Sequence, residues 1–146
     1  MRANEDGFTL IEMLLSVGII ALLAGLSLPI YFSSQTRNDT ASTTETIADG
    51  LRRAEIDARA VHGDVQWGVN FQSTSATLFQ GTSYATRATM YDEPLTIPSD
   101  ITIGYSGDIV FAKLTGLPTT TPSITITSKN NETATITINT KGMVDY

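Results

Sequence analysis

The sequence predicts an α+β protein, a long N-terminal α-helix laid against an antiparallel β-sheet. Three observations carry this. Twenty residues from Met13 to Phe32 contain no charged side chain, and as a helix they span about 30 Å. Ile47, Leu51, Ala54, Ala58 and Val61 then recur at spacings of four, three, four and three, which is one face of an α-helix. After Gly63 the period shortens to two, and Val65, Trp67, Val69 and Phe71 alternate with polar or small residues.

In chain order, residues 1–7 form a short polar stretch, 8–32 an apolar helix, 33–62 its polar continuation and amphipathic second half, and 63–146 a β-sheet head. Pro29 falls inside the apolar helix, after Gly18 and Gly25. Proline lacks a backbone N–H and clashes with the preceding turn, so a kink or loosened stretch is expected just before it. Residues 33–46, SSQTRNDTASTTET, read alone as a linker. The stripe from Ile47 onward argues that the helix runs through them, with Arg52, Arg53, Glu55, Asp57 and Arg59 mostly on other faces. A break at 33–40 stays open, Gly50 weakens the helix by about 1 kcal/mol against alanine, and Gly63 marks its stop.

In the head, Leu78 and Phe79 form a second short run, and Thr82–Tyr91 is a third strand or an irregular loop. LTIP, Ile101–Tyr105 and Asp108–Phe111 follow, and KLTGLPTTTP reads as a surface loop. A hairpin ends the pattern: Ile124 and Ile126 alternate with threonine, SKNNE turns, and Ala134, Ile136 and Ile138 alternate again. Lys141-Gly142 marks a last turn. One face of the sheet is expected against the helical stripe, the other carrying threonine to solvent.

Bulk composition excludes several functions. The 146-residue chain has no cysteine, so it holds neither a disulfide framework nor a thiolate metal site. The formal charge of -6 leaves little to offer a nucleic-acid backbone. The 23 threonines, mostly beyond residue 35, suit the solvent face of strands.

Glu12 is the anomaly. A carboxylate at the centre of a helix in lipid costs roughly 2.5–3.5 kcal/mol. A secretory signal peptide needs a basic n-region and a small-residue cleavage site, whereas MRANEDG sets one arginine against Glu5 and Asp6. A plain membrane anchor leaves Glu12 without a purpose. The stretch Gly7-Phe8-Thr9-Leu10-Ile11-Glu12, with the charge-free run behind it, resembles the class III signal peptide of type IV pilin precursors over residues 7–32. The resemblance implies a leader, residues 1–7, removed by a prepilin peptidase between Gly7 and Phe8, and N-methylation of Phe8. It implies that Glu12 pairs with the freed Phe8 amine of a neighbouring subunit and so guides assembly. A Glu12 lying in the headgroup layer remains the alternative. A proline placed like Pro29 is common in pilins, with the nearby helix partly unwound in their filaments, while a static bend is the alternative here.

IADGLRRAEIDARAVHGDVQWGV and the tail from DIVFAKLTGLP through ATITINTKGMVDY resemble the minor pseudopilin H and fimbrial protein T group over residues 47–146. Gly142 is followed by Met143, where that group often carries arginine. The implied role is a structural subunit of a type IV pilus or a type II secretion pseudopilus. Its partners are other pilin or pseudopilin subunits, the prepilin peptidase, an inner-membrane assembly platform and, before assembly, the lipid bilayer. The implied location is the bacterial inner membrane, single-pass, and afterwards an extracellular pilus or periplasmic pseudopilus. The alternative is a pilus-tip subunit binding DNA for uptake, which needs clustered cations. Beyond Arg87 only Lys113, Lys129 and Lys141 are basic, so nucleic acid is not an expected partner.

No enzyme is expected. The single histidine, His62, sits at a predicted helix end, where capping is the commoner role. There is no G-x-S-x-G elbow and no P-loop. Asp92-Glu93 reads as a solvated loop rather than a calcium site, so no catalytic residue, metal or cofactor is expected. Asn38 and Asn131 begin N-x-T triplets to which no role is given.

Overall fold

A computed structural model describes residues 7–146, with the side chains of residues 26–33 outside the description. Two compact units are present, one ending at Gln35 and one spanning Thr36–Tyr146. Helix α1, Leu10–Arg59, is assigned as helix through residues 33–46. The linker-like composition therefore does not interrupt it. Thr40, Thr43 and Thr44 are buried and extend the stripe of Ile47, Leu51, Ala54 and Ala58 toward the N-terminus. Their hydroxyls donate to the carbonyls of Thr36, Asp39 and Thr40 at 3.0, 2.7 and 2.8 Å. A threonine bonded to the carbonyl four residues back presents its methyl to the core, and its polar atom is satisfied.

The helix stops earlier than Gly63. Beyond Arg59, Val61 adopts a left-handed conformation (φ 56°, ψ 35°), and His62–Asp64 makes one 3-10 turn with Gly63 at φ 73°. The cause is tertiary. Leu114 N–H, from a loop far along the chain, donates at 3.0 Å to the carbonyl of buried Ala58, which also accepts from the Val61 N–H at 3.3 Å, and closes the helix end. Gly50, a weak point by propensity, is explained by close packing. A Cβ there would lie 2.7 Å from the Leu95 side chain.

The head holds two four-stranded antiparallel sheets where one was expected. The strands are β1 (Trp67–Gln72), β2 (Ser75–Gln80), β3 (Glu93–Leu95), β4 (Ile101–Ile103), β5 (Gly107–Phe111), β6 (Ser123–Ser128), β7 (Thr133–Ile138) and β8 (Val144–Asp145). The first sheet has the order β3-β2-β1-β5 and the second β4-β6-β7-β8. Register pairs Trp67 with both Gln80 and Phe111, and Ile126 with Ala134. The β6–β7 hairpin is the one the alternation predicted. Pro94 sits in the edge strand β3, where its missing N–H breaks no ladder. Thr82–Tyr91 is not a strand but a loop with two 3-10 turns, Tyr84–Thr86 and Thr89–Tyr91.

One core joins the helical stripe to both sheets, with Ile47, Leu51, Phe71, Leu78, Phe111, Ile124, Ile126 and Ile136 among its members. The second sheet follows the expected alternation. Ile124, Ile126, Ile136 and Ile138 are buried, while Thr133, Thr135 and Thr137 are exposed. The first sheet departs from it. Its other face also buries Phe79 and Val110, with Tyr84 edge-on to Phe79 at 5.6 Å. Arg87 pins that cover. Its Nε donates to both Asp92 oxygens at 2.9 and 2.7 Å, and its guanidinium lies 3.6 Å from the Tyr84 ring centre.

Candidate processing and assembly site

Gly7 and Phe8 precede the helix, in extended or irregular backbone, and Phe8 is 83% exposed. A Cβ on Gly7 would meet no atom within 4 Å, so neither crowding nor a left-handed backbone demands glycine there. The peptide between Gly7 and Phe8 is thus accessible, outside any hydrogen-bonded element.

Thr9 begins the helix. Its carbonyl accepts from the Met13 N–H at 3.2 Å, the first intrahelical bond. Its hydroxyl oxygen accepts from the Glu12 N–H at 3.3 Å, and Glu12 Oε2 in return accepts from the Thr9 N–H at 3.3 Å. The Thr9 hydroxyl lies 3.1 Å from the same carboxylate oxygen. This is a capping box, which satisfies two otherwise orphaned helix donors reciprocally. The carboxylate also lies at the positive end of the helix dipole. Glu12 is therefore bound within its own chain before any partner is considered. The T-x-x-E pattern before an apolar run was the sequence signal for it, and the reading of Glu12 as an assembly charge passed over it.

Behind this cap the helix is apolar on all sides. Leu10, Ile11, Leu14, Leu15, Ile20 and Leu22 are each 61–78% exposed. A helix greasy around its whole circumference needs lipid or other helices to cover it. Among the described residues no helix is long and apolar enough to cross a membrane. The described side chains of the charge-free run end at Gly25, and residues 26–32 complete it only in sequence. Pro29 lies among the side chains outside the description, so the expected kink falls outside it too.

Residues 2–28 match the prokaryotic N-terminal methylation motif. The chain carries the N-terminal signal of a type IV pilin-like precursor. That signal implies a membrane-anchored precursor that is processed. No solved structure matches the chain.

The remaining sequence candidates each have contacts of their own. His62 does not cap α1 with its ring. Its carbonyl accepts from Trp67 Nε1 at 2.8 Å and from Gln80 Nε2 at 3.3 Å, and its ring stacks on Trp67. Asp92 is paired with Arg87 and Glu93 with Arg53. Among the described residues no three His, Cys, Asp or Glu side chains converge to hold a metal.

Proposed function

We propose that this protein is a structural subunit of a type IV pilus or of a type II secretion pseudopilus. It enters the inner membrane as a prepilin, with the apolar run through Phe32 spanning the bilayer. A prepilin peptidase cuts between Gly7 and Phe8, and the new Phe8 amine is methylated. The apolar helix then leaves lipid for a bundle of like helices. The carrying observation is the methylation motif over residues 2–28 followed by a helix exposed and apolar on every face.

Cleavage changes the electrostatics of the site. In the precursor the Phe8 nitrogen is a neutral amide, and the partners of Glu12 are the Thr9 N–H and hydroxyl. After cleavage a positive amine stands at the end of the apolar segment. Pairing it with Glu12 of a neighbouring copy offsets the burial of both charges and fixes register. Removing residues 1–7 takes away one basic and two acidic residues, leaving 8 against 13, a net charge of -5.

The charge pattern of the head supports scaffold over DNA capture. Of the eight lysines and arginines in residues 36–146, all but Lys141 stand in ion pairs among the described residues. Phosphate binding needs cations not already neutralised. The order of strand, glycine loop, hairpin and late Gly142 supports the finer kinship with the minor pseudopilin H and fimbrial protein T group.

The test is Glu12→Ala in cells carrying the assembly machinery. The variant inserts and is cleaved but yields few filaments, and mass spectrometry of wild-type fibre subunits finds methylated Phe8 first. Normal filament yield from the variant removes Glu12 from assembly. A chain that keeps residues 1–7 and enters no fibre refutes the whole reading.

A further inference from the structure

Two N-x-T triplets have no part in the filament reading, Asn38-Asp39-Thr40 and Asn131-Glu132-Thr133. Such a triplet is an acceptor for N-linked sugar where it lies in a surface loop of a secreted protein. The fold separates the two. Asn38 lies inside α1, where residues two apart stand about 200° apart around the axis. Its Thr40 is therefore turned inward and buried, and the Thr40 hydroxyl already donates to the Thr36 carbonyl at 3.0 Å.

Asn131 sits in the turn between β6 and β7. It is exposed, lies outside both strands and has φ 59°, a conformation asparagine tolerates. Its neighbours hold the turn. The Ser128 carbonyl accepts from the Asn131 N–H at 3.0 Å, and the Ser128 hydroxyl accepts from the Glu132 N–H at 3.2 Å. Asn130 Nδ2 donates to the Thr36 hydroxyl at 3.1 Å, and Glu132 pairs with Arg37 at 3.3 Å. Thr133 opens β7 on its exposed face. The Asn131 carboxamide and the Thr133 hydroxyl make no hydrogen bond among the described residues. The turn is thus fixed by the residues around the pair, and both groups of the pair stand in solvent.

We infer that Asn131 is the acceptor of an N-linked glycan. The carboxamide nitrogen bonds to the anomeric carbon of a sugar carried on a polyprenyl pyrophosphate. The bond from that carbon to the phosphate oxygen breaks, and the pyrophosphate leaves with the electron pair. The nitrogen gives up one proton to a base of the transferase. The Thr133 hydroxyl, two residues on, marks Asn131 as the acceptor. The inference takes one thing from the filament reading, that the head is carried across the membrane.

The test is the intact mass of the full-length gene product and of its fibre subunits, isolated from the cells that make them. The expected subunit is heavier than residues 8–146 with methylated Phe8 by the mass of one glycan. After trypsin the sugar lies on the peptide Asn130–Lys141. Asn131→Gln and Thr133→Ala each abolish the added mass, Thr133→Ser retains it, and Asn38→Gln leaves it unchanged. All three positions are exposed, so the variants keep the core. Fibres whose subunits carry no sugar on Asn131 overturn the inference and leave the filament reading standing. A sugar that survives Asn131→Gln or Thr133→Ala overturns it as well. Asn131 glycosylated on chains that keep residues 1–7 and enter no fibre upholds the site and refutes the filament reading. Chains with neither sugar nor cleavage refute both.

Discussion

Thr9 and Glu12 show how one carboxylate serves two ends. Oε2 accepts from the Thr9 N–H and lies within reach of its hydroxyl, which leaves the rest of the group open to a partner. Removing the hydroxyl breaks the box, and losing an N-cap costs about 1 kcal/mol. In the full chain in micelles, Thr9→Ala therefore speeds amide exchange at Glu12 and Met13, while Thr9→Ser does not. Equal exchange in all three would deny the cap. Gly142 is the second residue whose identity the backbone dictates. Its φ is 89°, and a Cβ would stand 2.8 Å from the Gly116 carbonyl oxygen. Gly142→Ala is expected to destabilise the head by about 1–3 kcal/mol, read as a lower urea midpoint. Gly142 was legible as a turn, but the crowding was not, because Gly116 and Glu55 are brought there only by the fold.

Among elements, α1 was the most legible where its stripe is aliphatic and the least where it is threonine. Ile47, Leu51, Ala54 and Ala58 announce their face through spacing alone. Thr40, Thr43 and Thr44 occupy that same face, yet hydropathy counts them as polar. The bond to the carbonyl four residues back, which makes them tolerable inside, leaves no mark in the sequence. The two classes should respond differently to substitution. Leu51→Ala opens a cavity among the helix and both sheets and costs about 2–5 kcal/mol. Thr44→Val keeps the shape and gives up a bond to a carbonyl that accepts within the helix anyway. Its expected cost is under about 1.5 kcal/mol. Thermal melts of the two variants beside wild type make the comparison. A Thr44→Val variant as damaged as Leu51→Ala would mean that the hydroxyl, not the methyl, holds that turn in place.

At the level of the whole molecule, the division into two sheets was illegible for a topological reason. β1 pairs with β5 and β4 with β6, across intervening segments that alternation cannot order. The loop of residues 82–92 covers the back of the first sheet through Arg87, Tyr84 and Asp92, and no periodic signal marks that cover. Four ion pairs also tie distant segments together, Arg37–Glu132, Arg53–Glu93, Lys113–Asp64 and Lys129–Asp100. Lys129 pairs with Asp100 across 29 positions of chain, next to the β4–β6 ladder. The hydrogen bond from Lys129 holds the Asp100 carboxyl below its ordinary range. A group whose pKa is lower folded than unfolded stabilises the fold when ionised. That contribution is fully present above the ordinary carboxylate value, and it is lost as pH falls through the lowered one. Both side chains are more than half exposed, so the pair is also screened by salt. Wild type should therefore be more stable than Lys129→Ala near neutral pH, and the gap should close as pH falls below the ordinary carboxylate range. Added salt should shrink the gap at neutral pH. Urea midpoints of the two proteins across that range decide it. A difference that stays constant with pH would mean that Lys129 acts through the packing of its stem rather than through its charge.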